Sequence, residues 1–166
     1  MIATAPEKTA GLRLDLACGD APFEDANGPF EAVDLFAATA KHRVNLLQFP
    51  WPFEADSVEE LRCVGFLEQI PMLYVASDGT TYRQIPEDQE DRDLLNRFME
   101  ECWRILSHGG KAIFKVANAR SDRAFENPMH RRFIVPSTFY HFHQPWIAQH
   151  GLHGLPGRVN FDIKID

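Results

Sequence analysis

Short runs rich in apolar and β-branched residues recur along the chain and alternate with polar or helical segments. This alternation is typical of an α/β domain, in which crossover connections join the strands of a parallel sheet. We therefore predict an α/β fold with a mostly parallel sheet. The predicted strands lie at residues 12–18, 30–36, 42–47, 60–66, 111–118 and 158–165.

One segment, residues 91–110 with the sequence "DRDLLNRFMEECWRILSHGG", has the clearest helical pattern. Its apolar residues recur at helical spacing, and the pair Gly109 and Gly110 is typical of a helix C-terminus. We expect the helix to end at these glycines and the strand at 111–118 to follow it.

The first two connections between predicted strands are short. The segments "GDAPFEDANGP" and "AATAK" leave little room for the ten or more residues that a helical crossover usually takes. We therefore expect a single compact domain, 1–166, with reduced crossover helices and one thinly covered sheet face. The long acidic segment 76–91 is either a surface loop or a lid over a cleft.

Composition excludes several classes of function. A net charge of −7 would repel a phosphate backbone, which argues against broad binding of nucleic acid. No apolar run approaches the ~18 residues of a membrane span, and no targeting segment is evident. We therefore expect a cytoplasmic protein with no membrane partner. The three cysteines lack C-x-x-C spacing, so we predict reduced thiols and no metal site.

The stretch "LRLDLACGDAPF" runs from a predicted strand into a turn at Gly19. A glycine turn at the carboxyl edge of a parallel sheet allows a ligand to approach the main chain. The dinucleotide pattern G-x-G-x-x-G is not met, because its positions hold Ala17, Gly19 and Pro22. The sequence therefore predicts a ligand site at this turn but disfavours a nicotinamide dehydrogenase.

The segment from Asp15 to Asp20, "DLACGD", resembles the first motif of class I S-adenosylmethionine-dependent methyltransferases. Asp34 follows at the end of the second predicted strand, and "FMEECWRILSHGGKAIFKVAN" is similar to a later segment of that family. The resemblance covers roughly residues 12–142 and is strongest to a compact type from phage and bacterial genomes. It implies a doubly wound, mostly parallel sheet of the Rossmann-like type, S-adenosylmethionine as cofactor and methyl transfer to an unidentified acceptor.

The resemblance also implies which residues contact the cofactor. Asp34 would accept hydrogen bonds from both ribose hydroxyls, although a solvated carboxylate at a strand end remains the alternative. Phe49, Trp51 and Phe53 form either an apolar wall beside the adenine ring or ordinary core packing. The implied cofactor-binding residues are Asp15, Ala17, Cys18, Gly19, Asp34, Leu35, Asn45, Leu46, Gly65 and Phe66.

His130 is the candidate catalytic residue, because it follows the fifth predicted strand and stands among four arginines, Arg120, Arg123, Arg131 and Arg132. A neutral imidazole could accept a proton from the methyl acceptor, and a brace for its own loop is the alternative. In the segment "FLEQIP", Gln69 replaces a histidine that is common in the family. A non-catalytic module that binds S-adenosylmethionine or S-adenosylhomocysteine is therefore the alternative function.

Overall fold

Four parallel strands form the central sheet of the computed structural model, in the order β4-β1-β5-β8. They are β1 (Leu12–Leu16), β4 (Glu31–Val33), β5 (Val58–Val64) and β8 (Leu106–Lys115). The structure describes residues 11–75, 81–82, 93–152 and 159–165. A mostly parallel sheet accompanied by a few helices is the α/β arrangement that the sequence predicts.

The remaining elements are short, apart from one helix of twelve residues, α1. Two small antiparallel hairpins accompany the sheet, β2 with β3 and β6 with β7. These elements are β2 (Glu24–Asp25), β3 (Gly28–Pro29), β6 (Tyr74–Val75), β7 (Thr81–Tyr82), α1 (Leu94–Ile105), α2 (Arg123–Glu126), α3 (Gln144–Gln149) and the 3-10 helices Leu67–Gln69 and Pro136–Phe142.

One face of the sheet is apolar. Leu14 of β1 lies in register with Leu61 of β5, and both are completely buried. Because side chains alternate along a strand, every second residue joins this face. Phe98 and Ile105 of α1 are also completely buried in the same core cluster. Burial of these side chains against α1 is the main stabilisation of the sheet.

The opposite face of the sheet carries ion pairs. Arg13 bonds Glu60 at 3.0 Å, and Arg62 of β5 lies 3.2 Å from the carboxylate of Asp15. The hairpin β2 to β3 covers this face in part, since Arg13 also donates to the Gly28 carbonyl. Charged side chains with partners from neighbouring strands thus occupy the positions between the apolar ones.

Two predicted strands are wrong. Of residues 42–47, only His42 pairs with the sheet, through a bridge to Val33. The Asn45 side chain accepts a hydrogen bond from the Leu47 N–H at 3.0 Å, which favours a turn over a strand ladder. Residues 159–165, the described part of the predicted strand 158–165, form no strand, although Phe161 donates one backbone bond to Phe142.

The predicted end of the long helix is also wrong. Helix α1 begins after Asp93, whose side chain accepts from the Leu95 N–H, and ends at Ile105. Gly109 and Gly110 lie within β8, where the register with β5 shifts. A Cβ at Gly110 would lie 2.9 Å from the Ser107 carbonyl oxygen, so close backbone approach requires glycine there.

Most of the predicted lid, residues 76–91, lies outside the described residues. Within it the structure describes only β7, which pairs antiparallel with β6. Whether this segment covers a cleft therefore stays a prediction.

We expect Phe98→Ala to lower the free energy of unfolding by about 3–5 kcal/mol, because it opens a cavity in the core. The Phe98 ring is completely buried and contacts the rings of Trp51 and Phe66, with centroid distances of 5.1 Å and 5.8 Å. Chemical denaturation measures the loss. Phe125→Ala is the matched control, since Phe125 is 64% exposed, and it should cost less than about 1 kcal/mol. Equal losses in the two variants would contradict the assigned core.

Candidate functional site

The turn after β1 combines two left-handed backbone conformations. Ala17 has a φ of 54° and Gly19 a φ of 61°. The left-handed region is costly for alanine and free for glycine. A Cβ built on Gly19 would meet no atom within 4 Å. The space beside the main chain at Gly19 is therefore empty on the side where a side chain would stand.

Asp34 joins this turn to the end of β4. Its carboxylate accepts hydrogen bonds from the backbone N–H groups of Gly19 at 3.1 Å, Phe36 at 2.8 Å and Ala37 at 3.0 Å. Burial raises the pKa of Asp34, but these backbone hydrogen bonds outweigh burial and hold the pKa below its ordinary value. Asp34 is thus a partly buried carboxylate at the end of β4 that joins its own loop to the turn at Gly19.

Asp15 lies on the charged face and is 1% exposed. Its carboxylate accepts from the Phe23 N–H at 2.9 Å and pairs with Arg62, whose guanidinium lies over the Phe23 ring. These bonds hold the chain segment after the turn against the sheet. Asp15 therefore serves the candidate site by positioning the turn.

Cys18 and Leu35 flank the same turn. The Cys18 thiol lies 3.2 Å from the Gly19 carbonyl oxygen, and Leu35 is 38% exposed. Burial raises the pKa of the Cys18 thiol, and the negative charges of Asp15 and Asp34 raise it further. The thiol is therefore protonated at neutral pH and is not a reactive thiolate.

Asn45 and Leu46 are engaged within their own segment. Asn45 closes a turn at Leu47, and the carbonyl of Leu46 accepts a hydrogen bond from the Trp51 indole at 3.3 Å. Trp51 is 2% exposed and packs against Phe98. Core packing is therefore the role that the structure gives to Trp51.

Gly65 and Phe66 follow the carboxyl end of β5. Gly65 has a φ of 68°, and its N–H donates to the Lys115 carbonyl of β8 at 2.9 Å. Its own carbonyl accepts from the side chain of Gln69 at 2.5 Å. A Cβ at Gly65 would meet no atom within 4 Å, so this turn is also open.

His130 contacts a residue that sequence reasoning did not assign to the site. The Nδ1 atom of His130 lies 2.9 Å from the Ala124 carbonyl oxygen, and its Nε2 atom lies 3.9 Å from Oε1 of Glu68. Glu68 is 3% exposed. The sequence contains a hint, since Glu68 is an acidic residue within the apolar run "VGFLEQIP". Such a residue, when buried, needs a specific partner.

The arginines around His130 have different roles. Arg132 donates to the carbonyls of Ile70 and Pro71 and forms an ion pair with Asp93 at 2.7 Å. Arg132 therefore balances the charge of Asp93 within the protein. Arg120 and Arg123 are exposed.

The structure brings some of the predicted site residues together. The turn at Ala17, Cys18 and Gly19 meets Asp34, and Asp15 supports it from the charged face. A second group lies where β5 and β8 end. There Gly65 donates to the Lys115 carbonyl, and Glu68 accepts from the Ala117 N–H. These two groups of residues lie at the carboxyl edge of the sheet because the four strands are parallel.

In the part of the chain that the structure describes, no group of three or more His, Cys, Asp or Glu side chains could hold a metal ion. Within the same residues, no helix is both long and apolar enough to cross a membrane.

Comparison with known proteins gives no match. No family model matches the sequence, and neither a curated protein nor a solved structure is similar to the chain.

We expect Asp34→Asn to lower the free energy of unfolding at neutral pH by about 1–3 kcal/mol, because the charged acceptor of backbone hydrogen bonds is lost. The folded-state pKa of Asp34 lies below the ordinary value of 3.8. Its contribution is therefore complete above that value and is lost as the pH falls through the folded-state pKa.

Chemical denaturation from neutral to acidic pH tests this expectation. Asp122→Asn is the control, because Asp122 is exposed and makes no side-chain cap bond. A difference between wild type and Asp34→Asn that does not shrink in acid would contradict the role assigned to the carboxylate.

Proposed function

We propose that the protein binds S-adenosylmethionine at the turn after β1 and transfers its methyl group to an acceptor. The observation that carries this proposal is the link between Gly19 and Asp34. An open, left-handed glycine and a carboxylate with a lowered pKa meet at the carboxyl edge of the sheet. This combination suits a ligand that approaches the main chain and offers hydroxyl donors to the carboxylate.

The strand order supports this placement. From β1 the chain adds β4 on one side and then β5 on the other, so the order reverses beside β1. Ligands of open parallel sheets bind outside the carboxyl ends of the strands at such a reversal. We infer a reduced doubly wound sheet, in which the hairpin β2 to β3 stands in place of the first crossover helix.

The residues present fit the cofactor. Asp34 already accepts three backbone hydrogen bonds, and an ionised carboxylate has about four lone-pair positions. One ribose hydroxyl therefore adds a bond without displacing a protein group. A second hydroxyl replaces the Gly19 N–H, the longest of the three bonds at 3.1 Å. Binding then loosens the turn from Asp34.

Methyl transfer requires no covalent intermediate with the protein. The acceptor lone pair forms a bond to the methyl carbon while the S–CH3 bond breaks, its electron pair stays on sulfur, and the acceptor's proton passes to a base or water. The protein contributes alignment of the reacting groups, which alone lowers such barriers strongly. His130 is the proposed base on the acceptor side, where its Nε2 atom faces Glu68.

The second candidate function is a non-catalytic module that binds the same cofactor. It is favoured by the short connections and by Gln69, whose side chain is used to bind the Gly65 carbonyl at 2.5 Å. Calorimetry with S-adenosylmethionine and with S-adenosylhomocysteine, combined with an assay for methylated product, separates the two functions. Preference for S-adenosylhomocysteine without any product favours the module.

We expect Asp34→Ala to remain folded and to bind S-adenosylmethionine about 10- to 150-fold more weakly, which corresponds to ~1.5–3 kcal/mol for a hydrogen bond to a charged group. Isothermal titration calorimetry measures the change, and circular dichroism confirms the fold. Asp122→Ala, at an exposed position outside the proposed site, should bind as the wild type does. Unchanged affinity in a folded Asp34→Ala would refute the assignment of the site.

We expect Gly19→Val to abolish cofactor binding, because valine disfavours a φ of 61° and its side chain enters the approach path. Gly151→Val provides a matched control. Gly151 also has a φ of 61° and open space around its Cβ position, but it follows α3. Both variants should lose similar stability in thermal unfolding, while only Gly19→Val should lose binding in calorimetry. Normal binding by Gly19→Val would place the ligand elsewhere.

A further inference from the structure

Glu68 is a buried carboxylate with one unused oxygen. It lies in the 3-10 helix that follows β5, and its side chain is 4% exposed. The Oε1 atom accepts a hydrogen bond from the Ala117 N–H at 3.1 Å. Among the described residues, the Oε2 atom has no hydrogen-bond partner. Leaving a buried acceptor unpaired costs free energy, so such an atom calls for an explanation.

The Nε2 atom of His130 lies near the Glu68 carboxylate and is a second hydrogen-bond acceptor there. A carbonyl oxygen only accepts, so the contact of 2.9 Å between Nδ1 and the Ala124 oxygen assigns the ring hydrogen to Nδ1. In the neutral ring, Nε2 is then an acceptor. It lies 3.9 Å from Oε1 of Glu68, and the side chain is 10% exposed. With the ring neutral, a carboxylate and an imidazole lone pair thus lie close together, and a hydrogen-bond donor placed between them would satisfy both.

The nearby arginine side chains do not supply this donor. The backbone N–H groups of Arg131 and Arg132 donate to the main-chain carbonyl of Glu68 at 2.7 Å and 3.0 Å. The Arg132 guanidinium donates instead to Ile70, Pro71 and Asp93, and the Arg131 guanidinium donates to Pro128. These bonds fix the main chain around Glu68 and leave its carboxylate for another donor.

The pair lies at the edge of the sheet that carries the proposed cofactor turn. Glu68 follows the carboxyl end of β5, and Ala117 follows that of β8. Strand β5 is the neighbour of β1, which leads into the turn at Gly19. A group bound by Glu68 and His130 is therefore at the same carboxyl edge of the sheet as the turn at Gly19.

We propose that Glu68 and His130 form a subsite for a nitrogen group that bears at least two hydrogens, such as an amino or amidine group. One N–H donates to Oε2 of Glu68 and another to Nε2 of His130. This inference rests on the proposed function where it identifies the ligand, since the group is then part of the methyl acceptor. The acceptor class is thus an N–H donor.

Acetamidine is a small probe for this subsite, and acetate is its counterpart of similar shape with acceptors only. We expect a 15N–1H NMR titration with acetamidine to shift the backbone amide signals of Ala117 and His130, and acetate to leave them unchanged. Glu68→Gln should weaken the acetamidine affinity roughly tenfold, because a charge-assisted hydrogen bond is lost. Glu126→Gln, at an exposed position in α2, should leave the affinity unchanged.

His130→Phe is the second variant, and it should also weaken acetamidine binding while keeping an aromatic ring at this position. Equal affinity in wild type and both variants, or shifts spread over the surface, overturns the subsite and leaves a bound water as the partner of Glu68. Parallel calorimetry with S-adenosylhomocysteine separates the two proposals. Cofactor binding without local acetamidine shifts refutes the subsite alone. Local shifts without cofactor binding refute methyl transfer and support an N–H donor site of another function.

Discussion

The alternation of chemistry along β1 and β5 is the constraint on which the rest of the structure depends. Leu14 and Leu61 face the core, while their neighbours Arg13 and Glu60 form an ion pair on the other face. Parallel sheets are usually buried on both faces by helices. Here, helix α1 packs in the apolar core on one face. On the opposite face, charged pairs and the hairpin β2 to β3 take the place of a second layer of helices.

This arrangement determines how the carboxyl edge of the sheet is held. Where long crossover helices would fix the loops, buried or half-buried carboxylates do so by accepting backbone N–H bonds. Asp15 holds Phe23, Asp34 holds Gly19, and Glu68 holds Ala117. Each bond joins two chain segments at a strand end. Hydrogen bonds to ionised acceptors are stronger than neutral ones, so few of them suffice.

The sequence predicts the sheet better than it predicts the ends of its elements. Alternation in "LRLDL" and the helical spacing around Phe98 are local patterns, and the structure contains both elements. The end of α1 depends on tertiary packing instead. Gly109 and Gly110 resemble a helix stop, but both lie inside β8, where the Ser107 and Glu59 carbonyls approach Gly110 and Gly109 has a φ of 76°. No local pattern separates these two uses of a glycine pair.

The candidate site shows the same division. Gly19 and Asp34 are evident in the sequence because each follows an apolar run, and the structure joins them directly. The contact between Glu68 and His130 spans 62 residues of sequence, and only the fold reveals it.

The three carboxylates at the carboxyl edge also differ in what remains for a ligand. Asp15 is 1% exposed and is bound by Phe23 and Arg62, so its charge is balanced inside the protein. Asp34 is half-buried and retains about one lone-pair position beyond its three backbone bonds. Glu68 is buried and keeps a whole oxygen unused. Fixing the loop at Glu68 needs only the Oε1 atom, which accepts the Ala117 N–H, and leaving the buried Oε2 atom unpaired costs free energy. The acceptors left at Asp34 and Glu68 are therefore the features of this edge that loop structure alone does not explain.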